Sequence, residues 1–248
     1  MPDAFLFPRA AALVPQFFHL DTVASTNEEL QGHGELSPFA LLLSTNQTHG
    51  RGRRSRTWDS RPGECLAISL VLPDERQRSF GASWVPLVVG WAAVDSLRSL
   101  GVSGATLKWP NDVLVSGRKV AGILCELLSS GQVIAGVGTN LVFGGEPPTD
   151  RATALSGFSV LNDDTPDLYL SSLISSLQKV MALPPELVVS LVTGVMSTLD
   201  KTVEVAEPGR VPWSGRAVRL NEYGHLVVRD SKGSERALVA GEVEHVLQ

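Results

Sequence analysis

Apolar positions along the 248-residue chain change their spacing several times, and each change marks an element. Ala40–Ser44 and Cys65–Leu72 are nearly continuous apolar runs of strand length, which predicts two buried strands. From Ser83 to Leu100 the pattern turns helical. Trp84, Leu87, Val88, Trp91, Val94, Leu97 and Leu100 share one face, Ser83 is placed to cap, Pro86 sits in the first turn and Gly101 ends the run. Ser25 and Glu28 have capping-box spacing and predict a helix start; residues 1–20 read as a lead-in. Short apolar runs follow at Ala105–Trp109, Asp112–Val115, Lys119–Leu127 and Val133–Val137, with Ser116-Gly117 as a tight hairpin turn. Helices are predicted from Thr165, with Thr as cap and Pro166 first, to about Met181, and from Pro185 to Leu199.

Beyond Asp200 the pattern becomes alternating. Val203–Ala206, Arg216–Leu220, His225–Arg229, Arg236–Ala240 and Val243–Val246 predict short strands, with turns at Asn221–Gly224 and Ser231–Gly233. The antiparallel hairpins argue against a doubly wound parallel sheet, so the fold class is α+β. The expected division is a mixed helix and sheet domain over 1–199 and a small β-barrel-like module over 200–248.

Composition narrows the function. At 43% hydrophobic and 19% charged, the chain is built to fold around a core. A net charge of −5 argues against general nucleic-acid binding. Cys65 and Cys125 lie in apolar strand-like runs without metal-ligand spacing, and read as thiols of a reducing compartment. The first ten residues lack a basic start, and the apolar run Trp84–Val94 is too short to span a bilayer. The expected location is cytoplasmic, with no membrane contact.

Against that acidic background, Gly50-Arg51-Gly52-Arg53-Arg54-Ser55-Arg56 gathers four arginines between two buried strands, with Trp58 close behind. The glycines let the backbone approach a ligand, successive N–H groups can form an anion nest, and guanidinium forks match phosphate or carboxylate. The residues leave open a solvated basic loop, an anion clamp, or nucleic-acid contact with Trp58 stacked on a base. No Walker A motif is present, and Gly136-Val137-Gly138 lacks the third glycine of a dinucleotide fingerprint. Lys108-Trp109-Pro110-Asn111-Asp112 puts a cation, an amide and a carboxylate on one proline bend. Lys108 is either a snorkelling edge residue or an aimed cation, and Asn111 and Asp112 are either turn formers or ligand contacts. Gly136–Asn140 reads as a strand bending near a ligand, or as a plain glycine-rich turn.

Together these segments resemble the biotin protein ligases. The resemblance is carried by Ser25-Thr26-Asn27, by Gln47 through Trp58, by Lys108–Asp112, by Arg118–Leu124 with Glu126, and by Gly136–Asn140, in the family's order. It is close over residues 20–145 and weaker in the tail, which resembles the family's SH3-like module. It implies a class II aminoacyl-tRNA synthetase/biotin ligase-like catalytic domain followed by an SH3-like β-barrel. It also implies that biotin and MgATP give biotinyl-5′-adenylate, which then acylates a lysine of a biotin carboxyl carrier protein. Lipoate–protein ligases share the related fold, and the Gly-Arg loop with Lys-Trp-Pro-Asn-Asp favours biotin.

By the same resemblance, Ser25, Thr26, Asn27, Gln47, Gly50, Arg51, Gly52, Arg53, Lys108 and Gly122 contact biotin. Arg54, Arg56, Trp58, Asn111, Asp112, Lys119 and Asn140 line the nucleotide side. Lys108, with Arg53, serves the reacting centre, since the step brings two anions together and needs cations more than a base. Mg²⁺ accompanies the nucleotide and no resident metal is expected. Regulatory relatives carry an N-terminal winged-helix domain; here the first motif starts at Ser25, so DNA binding is not expected, and a homodimer stays open. Asp200 stands where relatives have glycine.

Overall fold

The computed structural model describes residues 7–58, 61–74, 80–207, 211–239 and 242–245. Strands β1 (Phe17–His19), β2 (Leu41–Ser44), β3 (Cys65–Leu72), β4 (Ala105–Lys108), β5 (Asp112–Val115), β6 (Arg118–Leu127) and β7 (Val133–Asn140) form one sheet. Their order is β1-β2-β3-β7-β6-β5-β4, with β1 parallel to β2 and every other pair antiparallel. Strands β8 (Thr202–Ala206), β9 (Trp213–Leu220), β10 (Leu226–Arg229), β11 (Glu235–Leu238) and β12 (Glu242–His245) form a second, antiparallel sheet in the order β11-β10-β9-β8-β12. The helices are α1 (Pro8–Ala11), α2 (Thr26–Gly32), α3 (Val85–Ser99), α4 (Thr165–Met181) and α5 (Pro185–Gly194). The α+β class therefore holds.

The apolar runs are continuous because the first sheet is covered on both faces. Leu41 and Leu43 of β2 enter the main core with α3 and α4, while Ala40 and Leu42 join a smaller cluster with Leu30 of α2. Val203, Val205, Ala217, Leu226 and Val228 of the second sheet belong to the main core as well. Two indoles tie the sheets together. Trp84 Nε1 donates to the Glu222 carbonyl at 2.8 Å, and Trp109 Nε1 to the Gly224 carbonyl at 3.2 Å.

Several boundaries differ from the sequence reading. The lead-in contains α1 and β1, whose three residues are too few to show a period. A 3₁₀ turn at Ala82–Trp84 precedes α3, so Ser83 does not cap it; its hydroxyl donates to the Tyr223 carbonyl. Asp164, not Thr165, occupies the N-cap of α4, and the Thr165 hydroxyl donates to Asn162 Oδ1 at 2.8 Å. Helix α5 stops at Gly194, where Leu107 of β4 takes over the backbone bonds of the segment that follows: its N–H donates to the Val195 carbonyl at 2.9 Å and its carbonyl accepts from the Ser197 N–H at 2.8 Å. Strand β7 runs on to Asn140, so Gly136–Gly138 neither bend nor turn but stay in register with both neighbours. The predicted turn at Ser116-Gly117 is present, with φ of 51° and 75°. Asp200 has φ 64°, a left-handed conformation that suits glycine better than a residue with a Cβ. The ends of the strands predicted to Ala240 and Val246 lie outside the described residues.

Candidate active site

A cleft opens on the face of the first sheet that carries α2, and its floor follows from strand register. Ala67 of β3, Gly138 of β7 and Gly122 of β6 stand side by side in one cross-strand row, with Asp112 of β5 next to Gly122. Ser69, Gly136 and Leu124 form the next row. At Gly122, Gly136 and Gly138 the rows carry no side chain, so other groups can lie on the backbone. The Trp58 ring covers Gly138, where an added Cβ would stand 2.6 Å from Trp58 Cε2. Asn27 covers Gly136, where a Cβ would stand 2.5 Å from Asn27 Oδ1. Trp58 Nε1 also points at Cys65 Sγ, 3.3 Å away, and burial pushes the Cys65 thiol up to about 12.

One wall is the start of α2. Ser25 occupies the N-cap without a side-chain capping bond, so the expected capping box is not formed. Ser25, Thr26 and Asn27 are all buried at the cleft. Gln47 Oε1 accepts from the Thr26 N–H at 2.8 Å and from the Thr26 hydroxyl at 3.1 Å. Asn27 is fixed from two sides: Ser69 Oγ donates to its Oδ1 at 2.6 Å, and its Nδ2 donates to Glu126 Oε2 at 2.6 Å.

The arginine loop closes on itself as a small hairpin. The Gly52 N–H donates to the Arg56 carbonyl at 2.7 Å, and the Trp58 N–H to the Gly50 carbonyl at 2.9 Å. Arg54 takes a positive φ of 55° within a 3₁₀ turn. Arg51 pairs with Glu28 at 3.3 Å and with Glu126 at 3.0 Å, and Arg53 donates to Asn111 Oδ1 at 3.3 Å. These three contacts lead from the loop to α2, to β6 and to the bend after β4.

The facing wall is the β4–β5 bend. Lys108 and Asp112 are opposite each other in the ladder, joined through a cis Trp109–Pro110 bond and Asn111. Asn111 Nδ2 donates to the Ile123 carbonyl at 2.8 Å. Lys119 Nζ pairs with Asp112 at 2.6 Å and lies 5.5 Å from the Trp58 ring centroid. Lys108, with only 15% of its side chain exposed, pairs with Glu244 of β12 at 3.2 Å. Arg51, Arg53, Arg54, Arg56, Lys108 and Lys119 outnumber the two carboxylates of the cleft, Asp112 and Glu244, by four charges. On a chain of net charge −5, that surplus marks a site for anions. Among the described residues, no three His, Cys, Asp or Glu side chains gather as a metal-binding group.

Fifteen of the residues singled out in the sequence line this cleft, and two do not: Gly50 and Asn140. Gly50 faces a second hollow behind the loop, beside Thr48, His49 and Glu126. Asn140 is buried beyond the end of the floor, where its Nδ2 donates to the Thr153 carbonyl at 2.9 Å; its amide secures a loop. Sequence reasoning missed Ala67, Ser69, Val243 and Glu244. The first two could have been found as small residues alternating within an apolar strand. Nothing local marks the last two, which arrive from the far end of the chain.

The profile of the Biotin/lipoate A/B protein ligase family matches residues 21–140, which carry all of the cleft except its β12 edge. The biotin–[acetyl-CoA-carboxylase] ligase of Mycobacterium tuberculosis is 32% identical over 92% of this chain and 89% of its own length. This chain belongs to that family. The bifunctional ligase/repressor BirA of Escherichia coli is 37% identical over 49% of the chain, a match that spans 39% of BirA. A solved biotin protein ligase from Aquifex aeolicus, in complex with biotin and ATP, superposes with a TM-score of 0.77 at 28% identity, covering 93% of this chain and 98% of that one. The second sheet therefore belongs to the shared architecture, as the coverage extends well past residue 200.

Proposed function

We propose that this chain is a biotin–[biotin carboxyl-carrier protein] ligase. The observation that carries this reading is the cationic cleft over a glycine floor, with Lys108 held at its edge by the β4–β5 bend. Biotin and ATP are the substrates, Mg²⁺ comes with the nucleotide, and a lysine of the carboxylase carrier is the acceptor. The biotin carboxylate attacks the α-phosphorus, a new P–O bond forms, and pyrophosphate leaves with the electron pair of the broken bond. The neutral amine of the acceptor then attacks the acyl carbon of the mixed anhydride, AMP leaves, and the amine gives up a proton as the amide forms. Neither step needs a nucleophile from the enzyme.

The side chains divide this work. Ser25, Thr26 and Gln47 supply hydroxyls and an amide for a ureido ring, which has one acceptor and two donors. Asn27 completes that end of the cleft, and Gly122 meets biotin from the floor beneath Trp58 and Lys119. Arg51, Gly52 and Arg53 cover the ligand; Arg53, expected to share the reacting centre with Lys108, is assigned here to holding the adenylate there, because it rides on the loop and meets the bend through Asn111 Oδ1 at 3.3 Å. Lys108 offsets the charge that builds up between carboxylate and α-phosphate, and a fixed cation there is preorganised for the transition state. Arg54, Arg56, Trp58, Asn111, Asp112 and Lys119 serve the nucleotide. Keeping water from the mixed anhydride is the task of the loop. The catalytic unit is 1–199 and the β module 200–248. No DNA partner is part of this reading, a homodimer is compatible with it, and the site of action is the cytoplasm. No helix among the described residues is long and apolar enough to cross a membrane.

The test is ATP-dependent transfer of labelled biotin to a carrier-domain lysine. Transfer that needs ATP, biotin and the acceptor lysine supports the reading. Transfer of lipoate in preference to biotin contradicts it.

A further inference from the structure

The cleft is bordered on one side by β12, and its residue Glu244 meets the lysine assigned to the reacting centre. Glu244 Oε2 lies 3.2 Å from Lys108 Nζ and 2.7 Å from an Arg151 Nη1. One carboxylate oxygen therefore holds two cations. The three groups are not equally accessible. Lys108 is 15% exposed, Glu244 is 51% exposed and Arg151 is 72% exposed. The neighbouring His245 faces elsewhere, with its Nε2 3.3 Å from Thr198 Oγ1.

We infer that Glu244 is a stand-in anion for Lys108, exchanged for the substrate carboxylate when biotin binds. This rests on the proposed ligase reading and adds to it a residue of the second sheet. Without substrate, the carboxylate holds the ammonium at the cleft edge, so a largely buried cation keeps a partner. An arriving carboxylate competes for the same ammonium. Arg151 makes the exchange feasible, because it keeps Glu244 neutralised after Lys108 turns to the ligand. Glu244 is thus a positioning residue: it acts through Lys108 and sets how tightly an anionic ligand is held.

The charge difference gives a test that a general structural role would not pass. Biotin and its uncharged amide are titrated into the full chain, the Glu244→Gln and Arg151→Gln variants, and the double variant, at one fixed ionic strength. An ion pair this exposed is worth up to about 1 kcal/mol, or about fivefold in affinity. Glu244→Gln should tighten biotin by about two- to fivefold and leave the amide unchanged. Arg151→Gln should weaken biotin by a similar factor, since Glu244 then depends on Lys108 alone, and should lose most of that effect in the Glu244→Gln background. Weaker or unchanged biotin binding in Glu244→Gln, or equal shifts for biotin and its amide, overturns the exchange. A parent chain that binds no biotin overturns the ligase reading itself. Because both side chains are half exposed or more, thermal melts should be near parental.

Discussion

The cleft has two unlike halves. The strand half, from β4 to β7 with the Lys108–Asp112 bend, is built from backbone ladders and side chains locked by short bonds, such as Asn111 Nδ2 to the Ile123 carbonyl at 2.8 Å. The loop half, Gly50–Trp58, closes its own hairpin and touches the strand half through side-chain ends: Arg51 on Glu126, Arg53 on Asn111, and the Trp58 ring on Gly138. Groups fixed by a sheet can be preorganised for charge development, while groups on a self-contained loop can change position without unfolding anything else. On the proposed function, this contrast assigns the chemistry to the strands and retention of the intermediate to the loop.

The sharpest way to break this contrast is on the strand side. Lys108→Ala should slow biotin-dependent pyrophosphate release by about 10²–10³-fold, the scale for losing one preorganised electrostatic group. The loop side should respond differently. Arg53→Ala removes a charge-assisted contact worth about 1.5–3 kcal/mol, so biotinyl-adenylate should leave about 10- to 100-fold faster. Adenylate trapping on a filter, compared with total adenylate formed, separates those two effects.

Gly138→Ala sharpens the comparison where the halves meet. The new methyl would displace Trp58, at an overpacking cost of about 1–3 kcal/mol, and ligand binding should weaken by about tenfold with the strand half intact. Unchanged affinity and unchanged tryptophan fluorescence would show that the ring is not seated on the floor. The smallest expected effect lies on the β12 side. Burial, and then the Lys108 charge, hold the His245 pKa below 6.5, with Glu244 opposing and Lys201 adding to the shift. Thr198 Oγ1 accepts from the Trp109 N–H at 2.9 Å and lies 3.3 Å from His245 Nε2, so the ring is packed against a buried, already bonded hydroxyl. The unfolded chain takes up this proton more readily, so the stability due to the neutral ring is full above about pH 6.5 and falls as pH drops towards the folded pKa. His245→Gln should flatten that part of the profile, as checked by melting temperatures from about pH 7.5 to about pH 5.

Much of this was legible because the signals are local. The bounds of β3 are legible in the sequence, since Cys65–Leu72 is apolar except for Ser69 and buried on both faces. The loop and bend residues stood out because arginines, glycines and Lys-Trp-Pro-Asn-Asp are rare in such company. What escaped depends on register or on distant contacts. The small-residue row Ala67–Gly138–Gly122 is invisible in any single strand, and low strand propensity hid the end of β7. Asn140 resembled a ligand contact because an amide at a strand end can serve a ligand or a loop, and only tertiary structure shows Thr153 as its partner. Glu244 approaches Lys108 across 136 positions of sequence, beyond the reach of any local pattern.

The most direct measurement compares Lys108→Ala and Arg53→Ala in single-turnover adenylate formation, with biotin and MgATP saturating. Chemistry on the strands and retention on the loop predict that Lys108→Ala forms adenylate at a small fraction of the parental rate, while Arg53→Ala forms it at near-parental rate and then releases it. Near-parental adenylate formation by Lys108→Ala, with Arg53→Ala the slower of the two in the chemical step, would contradict that division.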